Sequence, residues 1–292
     1  MKNGFYTALG TPLTEDGRII EESLIAHIED QIKAGASGLL LMGSMGIEAG
    51  IRHTEYKKIV DIAERTVAGR VPLFVGAMDN SIARVIDRIE LIGENKKIDG
   101  IVLTTPYYSA VSADDAVRWF CEIANRSPYP VYLYDLPPVT QTKITMSIID
   151  KIINHRNIRG IKTADWELIL EIERKYPDSD FTCLCSRLDS FDYINKLGIG
   201  KNLDGMFACT PKNATAMYER ISKGDFAGAR AHLDNILFLR NTMIAHGLFR
   251  SFTICMNLLG YEGRFHYDYN AEIDLGKVTP IMRCLMQSIG EL

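Results

Sequence analysis

The sequence lacks several features that would assign it to a functional class at once. No apolar run is long enough to cross a bilayer, and the first residues do not lead into the apolar stretch of a signal peptide. The 33 Lys and Arg are outnumbered by 37 Asp and Glu, which gives a net charge of −4 and disfavours a nucleic-acid groove. We therefore expect a cytoplasmic protein that binds neither membrane nor nucleic acid and acts on a small molecule.

Metal-binding and linker patterns are also missing. The six cysteines form no CxxC pair and have no histidine at zinc spacing, and the six histidines form no His-x-His pair. No metal site is expected, and the cysteines are interpreted as small buried hydrophobes in a reducing compartment. No proline- or serine-rich stretch divides the 292 residues, so they are expected to fold around one large core.

What the chain does contain is a repeated alternation of short apolar runs and longer amphipathic segments. Continuous apolar runs suit parallel strands that are buried on both faces. Segments such as Glu21–Ala34 place apolar residues on one helical stripe. The eight runs are Phe5–Leu9, Gly38–Met42, Pro72–Ala77, Gly100–Leu103, Val131–Tyr134, Ile158–Ile161, Phe181–Cys185 and Asp204–Ala208.

Eight strand–helix units predict an α/β fold, a (β/α)8 TIM barrel over residues 1–225. The alternative is an open doubly wound sheet, but no GxGxxG motif follows the first strand. Residues 226–292 are predicted to form a C-terminal helical extension of the same domain. Its expected helices are Phe226–Ala245, Leu248–Leu259 and Val278–Ile289.

Barrels of this kind carry their active site at the carboxyl ends of the strands. Lys162 is the most informative residue there, because it follows the sixth apolar run and lysine is seldom buried without a function. An amine shielded from water can attack a ketone and form a Schiff base. The alternative is a lysine that extends from the strand end into solvent.

Hydroxyl groups follow three other strands. Tyr134 and Tyr108 lie at the ends of neighbouring strands, where a phenol can relay the protons of imine formation, although core aromatics with polar tips are the alternative. Residues 43–46, Gly-Ser-Met-Gly, predict a tight turn whose N–H groups and Ser44 hydroxyl can hold a carboxylate. The turns after strands seven and eight are not glycine-rich, which disfavours a phosphate site.

The order of these motifs resembles the N-acetylneuraminate lyase and dihydrodipicolinate synthase family over nearly the whole chain. The motifs are Gly-Ser-x-Gly at 43–46, Thr-Pro-Tyr-Tyr at 105–108, Tyr-Asp-Leu-Pro at 134–137 and Gly-Ile-Lys at 160–162. The resemblance implies a Schiff base between Lys162 and pyruvate or another 2-oxo acid, without a cofactor. It also implies a homotetramer that is a dimer of dimers.

The same resemblance implies a role for each motif residue. Lys162 matches the Schiff-base lysine, and Tyr134 matches the tyrosine that shuttles protons above it. Ser44 matches the first hydroxyl of the turn that binds the keto-acid carboxylate, with Met45 in the place of the second. Tyr108 matches the tyrosine that reaches across a dimer interface into the neighbouring site.

Several positions depart from the family pattern. The glutamate that usually follows the turn is Ile47 here, and Glu48 comes one place late. The arginine with which the synthases hold the carboxylate of their aldehyde substrate is replaced by Val139, and an isopropyl group cannot replace a guanidinium fork. We therefore disfavour true dihydrodipicolinate synthesis.

The loop after strand seven departs from the sialic acid lyases as well. Their Gly-x-Asp-Glu stretch, which binds sugar hydroxyls, aligns with residues 186–189, so that Ser186 and Asp189 become substrate-binding candidates. Ala208, at the predicted end of strand eight, is a further candidate. Arg187 is interpreted as a solvated loop arginine, with binding of a second carboxylate as the alternative.

The leading hypothesis is a class I lyase that joins or separates pyruvate and an aldehyde, with a 2-keto-3-deoxy sugar acid as a plausible substrate. A Schiff-base dehydratase or deaminase of a 2-oxo acid, or a synthase-like condensation, are alternatives that keep the imine. A non-catalytic paralogue that binds a keto acid is the alternative from another class, because Met45, Ile47 and Val139 replace polar residues of the family pattern.

Overall fold

The computed structural model describes residues 1–93 and 96–292. Within these residues, eight parallel strands close into a barrel in which each strand pairs with the next and β8 pairs with β1. The strands are β1 (Gly4–Ala8), β2 (Leu39–Leu41), β3 (Leu73–Gly76), β4 (Gly100–Leu103), β5 (Val131–Asp135), β6 (Ile158–Thr163), β7 (Thr182–Cys185) and β8 (Lys201–Asp204). The predicted (β/α)8 barrel is confirmed.

Helices surround the barrel and follow it at the C-terminal end. Around the barrel lie α1 (Glu21–Lys33), α2 (His53–Val67), α3 (Ile82–Ile92), α4 (Ala113–Arg126), α5 (Pro137–Thr140), α6 (Met146–Ile152), α7 (Trp166–Lys175), α8 (Phe191–Lys196) and α9 (Pro211–Ser222). The extension contains α10 (Phe226–Ala245), α11 (Leu248–Leu258) and α12 (Leu275–Ser288). The predicted extension is therefore helical, as expected, and the boundary between residues 225 and 226 stays a prediction.

The apolar strands are buried on both faces, which is why they lack a clean alternation in the sequence. A small cluster inside the barrel includes Tyr6, Phe74 and Leu184. The outward-facing strand residues join the helices in a larger core that also includes Phe252 of α11. One core therefore spans the barrel and the extension.

The eighth strand is the one element that the sequence misplaced. It was predicted at Asp204–Ala208, but β8 ends at Asp204 and residues 206–208 form a 3-10 turn. The Asp204 carboxylate accepts the Met206 N–H at 2.8 Å and so stabilises the turn. The strand begins with polar residues, and one of them, Asn202, is fully buried with its amide hydrogen-bonded to Ile199. A search for apolar runs passes over such a strand.

The cysteine prediction holds for four of the six residues. Cys183, Cys185, Cys209 and Cys255 are buried free thiols, whereas Cys284 is exposed. Among the described residues, no group of three or more His, Cys, Asp or Glu side chains could hold a metal ion. No helix in the described part of the chain is long and apolar enough to span a membrane.

A buried histidine makes the fold sensitive to acid. His27 of α1 is fully buried, lies 4.9 Å from the Tyr261 ring, and neither ring nitrogen has a partner among the described residues. Burial lowers the pKa of His27 to about 3. The unfolded chain takes up a proton near pH 6.5, whereas the folded chain does not, so stability is lost as the pH falls from about 7 to 3.

We expect replacement of His27 by phenylalanine to remove this sensitivity. The free energy of unfolding of the wild type should fall by about 2 kcal/mol more than that of His27→Phe between pH 7 and pH 5. Urea denaturation at both pH values measures this difference. The exposed His53 provides the control, since His53→Phe leaves the buried His27 in place. Equal pH dependence in His27→Phe and wild type would contradict the prediction.

Candidate active site

The carboxyl ends of β5 and β6 bring a tyrosine and a lysine together. Tyr134 and Lys162 are register partners in these parallel strands. The lysine Nζ lies 3.9 Å from the centre of the tyrosine ring, and Lys162 is only 6% exposed. Within the described residues Lys162 forms no salt bridge, and the carboxylates of Asp135 and Asp165 bind Lys143 instead. The amine is thus buried beside a phenol and is not held by a carboxylate.

The turn after β2 places a hydroxyl beside the same phenol. Ser44 Oγ donates to the Tyr134 hydroxyl at 3.5 Å, the long end of the hydrogen-bond range. The backbone N–H groups of Ser44 and Met45 have no acceptor among the described residues. Two unpaired N–H groups and a hydroxyl in one turn form a concave donor set that suits a carboxylate.

Backbone strain holds this turn in shape. Met42 and Ile47, on either side of the turn, both have left-handed backbone angles, with φ of 52° and 48°. A Cβ atom at Gly46 would lie 2.9 Å from the Leu9 carbonyl oxygen, so this position requires glycine. The Thr11 hydroxyl donates to the Gly46 carbonyl at 2.7 Å. The conformation of the turn is therefore set by the protein itself and does not depend on a ligand.

These groups line one cavity of about 800 Å³, which opens at the carboxyl ends of the strands. The volume exceeds what pyruvate alone needs and lies in the range of typical small-molecule sites. Its polar and charged lining residues are Ser44, Tyr134, Asp135, Lys143, Lys162, Asp165, Glu167, Ser186, Arg187, Asp204 and Arg240. Of the predicted site residues, this cavity brings together Lys162, Tyr134, Ser44, Met45 and Ser186.

Three predicted site residues lie elsewhere. Tyr108 is 87% exposed and does not line the cavity. Asp189 binds the Arg240 guanidinium with both carboxylate oxygens, at 2.7 and 3.0 Å. Ala208 is fully buried in the 3-10 turn after β8, where its carbonyl accepts a hydrogen bond from Gln31 at 3.3 Å. Ala208 was placed in the site because strand eight was predicted too late in the sequence.

A buried carboxylate, that of Asp135, stabilises the strand ends that carry Tyr134 and Lys162. Asp135, next to Tyr134, accepts hydrogen bonds from the Thr163 hydroxyl at 2.7 Å and the Ile144 N–H at 2.9 Å, and it contacts the Lys143 ammonium. Thr163 directly follows Lys162. The bond between Asp135 and Thr163 therefore joins the strand ends that carry the phenol and the amine.

Sequence reasoning missed several charged residues of the cavity wall, among them Asp204 and Arg240. Burial raises the pKa of the Asp204 carboxyl, whereas the Met206 N–H and the charge of Lys162 lower it. Arg240 comes from α10, more than 70 positions beyond Lys162, and no motif marks it. The Asp-Gly pair at 204–205, a common turn signal, could have identified Asp204 as a strand end.

Arg187, interpreted as a solvated loop arginine, is exposed and lines the cavity.

The glutamate that comes one place late is engaged by an arginine. Glu48 is buried, and its carboxylate contacts Arg88, which also binds Asp79 at 3.0 Å. Burial raises the pKa of Glu48 to about 8, although the Arg88 charge lowers it. The left-handed Ile47 turns the chain so that Glu48 enters this ion cluster.

Comparison with known proteins identifies the family of the chain. The sequence profile of the Dihydrodipicolinate synthetase family matches residues 1–267. The chain belongs to this family. It is 28% identical to the 4-hydroxy-tetrahydrodipicolinate synthase of Acidiphilium cryptum over 267 residues, which is 91% of each chain. Members of the family are lyases, and the protein is an enzyme of this class.

Solved structures superimpose on nearly the whole chain. YagE of E. coli K12, a prophage protein of the dihydrodipicolinic acid synthase family solved in complex with pyruvate, matches with a TM-score of 0.89 and 25% identity over 100% of each chain. N-acetylneuraminate lyase of Mycoplasma synoviae matches with a TM-score of 0.84 and 19% identity, over 98% of this chain and 97% of that one. The second similarity extends to the fold alone.

Proposed function

We propose that this family member is a class I lyase that forms an imine between Lys162 and a 2-oxo acid and releases pyruvate from a 2-keto-3-deoxy sugar acid. The observation that carries the proposal is the buried Lys162 amine, which lies 3.9 Å from the centre of the Tyr134 ring and forms no salt bridge within the described residues. The pyruvate complex of YagE supports the choice of keto acid.

The reaction begins when the neutral Lys162 amine attacks the ketone carbon of the substrate. Loss of water from the carbinolamine gives a protonated imine, with the substrate carboxylate on the Ser44–Met45 turn. Tyr134 removes the proton from the hydroxyl on C4, helped by Ser44, and the C3–C4 bond breaks. Its electrons flow into the imine, so an aldehyde leaves and an enamine remains. Protonation of the enamine and hydrolysis release pyruvate, and no cofactor is needed because the imine is the electron sink.

Dihydrodipicolinate synthesis is disfavoured by the position of Val139. The side chain is 51% exposed, does not line the Lys162 cavity, and has no charge with which to hold a second carboxylate. To bind the carboxylate of the aldehyde that the synthases use, the protein would need another cation at the position of Val139. A lyase that releases a neutral aldehyde has no such need.

Borohydride reduction in the presence of pyruvate tests the proposed chemistry. We expect intact mass to show one reduced pyruvate adduct, and peptide mapping to locate it at Lys162. Lys143, the other lysine of the cavity, is the internal control and should stay unmodified. A folded protein that gives no adduct with pyruvate or any longer keto acid would refute the imine mechanism. Release of water or ammonia in place of an aldehyde would favour the dehydratase or deaminase alternative.

The assembly and the location of the enzyme belong to the same proposal. We propose a homotetramer in which Tyr108 lies at a dimer interface, supported by the 87% exposure of this large aromatic side chain. Light scattering after gel filtration should give four times the chain mass of 32.8 kDa, and a monomeric mass would contradict it. The buried free thiols support a cytoplasmic location.

A further inference from the structure

The cavity wall on the β7–β8 side carries polar groups that the proposed imine chemistry does not use. Asp204 ends β8, and Arg240 reaches the same wall from α10. The groups proposed for the keto-acid carboxylate and the proton relay come from other strands, with Ser44 in the turn after β2 and Tyr134 on β5. A substrate bound to Lys162 that extends beyond its fourth carbon therefore has Asp204 and Arg240 available as contacts.

Asp204 supplies a fixed acceptor. One carboxylate oxygen accepts the Met206 N–H at 2.8 Å, which sets the orientation of the group. The other oxygen accepts no hydrogen bond from the residues that the structure describes, and the side chain is only partly shielded from the cavity. A partly buried carboxylate oxygen that accepts no hydrogen bond favours a ligand group that can donate one to it.

Arg240 supplies a fixed hydrogen-bond donor, and Asp189 balances its charge. Its guanidinium binds both oxygens of Asp189 and the Asn241 side-chain oxygen, at distances between 2.7 and 3.2 Å. These bonds use four of its five N–H hydrogens, so one hydrogen on Nη1 has no acceptor among the described residues. Because Asp189 neutralises the guanidinium, the pair suits a neutral oxygen better than a second anion.

We propose that Asp204 and Arg240 form a specificity subsite for the hydroxyl groups of the substrate beyond C4. The inference rests on the proposed function and adds to it that the leaving aldehyde is a neutral polyol. A hydroxyl group can donate to Asp204 and accept from Arg240 at once, whereas a carboxylate or phosphate would face the Asp204 charge. Arg240 thus gives the C-terminal extension a direct part in substrate selection.

Two substrates that differ only beyond C4 test this subsite. Both 2-keto-3-deoxygluconate and 4-hydroxy-2-oxopentanoate carry the C4 hydroxyl and yield pyruvate, but only the first has hydroxyls on C5 and C6. We expect Asp204→Asn and Arg240→Met each to lower kcat/KM for 2-keto-3-deoxygluconate by about tenfold or more, from the loss of one hydrogen bond to a hydroxyl. Their kcat/KM for 4-hydroxy-2-oxopentanoate should stay within about threefold of wild type.

Arg230→Met is the matched control, because Arg230 lies on the same helix and pairs at the surface with Asp234. It should leave both substrates unchanged. Equal losses on both substrates, or no loss on either, would overturn the subsite. A wild-type preference for the 6-phosphorylated sugar acid would indicate anion recognition by Arg187 and would also overturn it. If wild type shows the Lys162 adduct but no preference for the hydroxylated substrate, the subsite alone fails; if no adduct forms, the proposed function fails with it.

Discussion

Replacement of Lys162 by alanine should abolish pyruvate release, lowering the turnover rate by more than about a thousandfold. Without the amine no imine forms, so the electrons of the breaking C3–C4 bond have no acceptor. Substrate should still bind through the Ser44–Met45 turn, because the donors of that turn do not depend on the lysine. A coupled assay for pyruvate measures the rate, and near-UV circular dichroism checks that the barrel is folded.

Lys143→Ala is the matched control for this variant. Lys143 lines the same cavity, but its ammonium is held by Asp135 and by Asp165 at 3.2 Å. An amine engaged by two carboxylates is not free to attack a ketone. Lys143→Ala should therefore still form the borohydride-trapped adduct at Lys162. More than a tenth of wild-type turnover in Lys162→Ala would mean that another group attacks the ketone.

The fold could be predicted because each parallel strand is buried on both faces and therefore stands out as an apolar run. The exception shows the limit of that rule. Strand β8 contains Asn202, whose burial depends on hydrogen bonds to Asn195 and Tyr218 that no local pattern displays. A strand stabilised by buried polar contacts is visible only after the helices around it are in place.

The chemical centre of the site could be predicted for a related reason. Tyr134 and Lys162 lie in the last residues of β5 and β6, and Ser44 lies in the turn after β2. A parallel barrel brings all such strand ends to one face. The cavity wall with Asp204 and Arg240 could not be predicted in this way, because Arg240 belongs to a helix outside the barrel and reaches the site only through tertiary packing. The Asp189–Arg240 pair likewise joins two positions that are 51 residues apart.

The second large effect is expected for Tyr134→Phe. The change removes only the hydroxyl, which lies 3.5 Å from Ser44 Oγ, and keeps the ring against Lys162 Nζ. General acid–base groups contribute about 10²- to 10⁴-fold, so kcat should fall by that factor while KM changes little. Pyruvate should still be trapped at Lys162, though more slowly, because imine formation also needs proton transfer to the carbinolamine oxygen. Steady-state kinetics and the time course of borohydride trapping measure the two effects separately.

Tyr132→Phe separates lost proton transfer from disturbed packing. Tyr132 lies on the same strand, two positions earlier, and its ring packs against Phe74 with centres 4.9 Å apart. Its hydroxyl has no partner among the described residues, so the control should keep kcat within about twofold of wild type. A similar fall of kcat in both variants would mean that Tyr134→Phe lowers kcat by disturbing the packing inside the barrel and not by removing a proton-transfer group. A fall confined to Tyr134→Phe would identify its hydroxyl as the group that takes the proton from the C4 hydroxyl of the substrate.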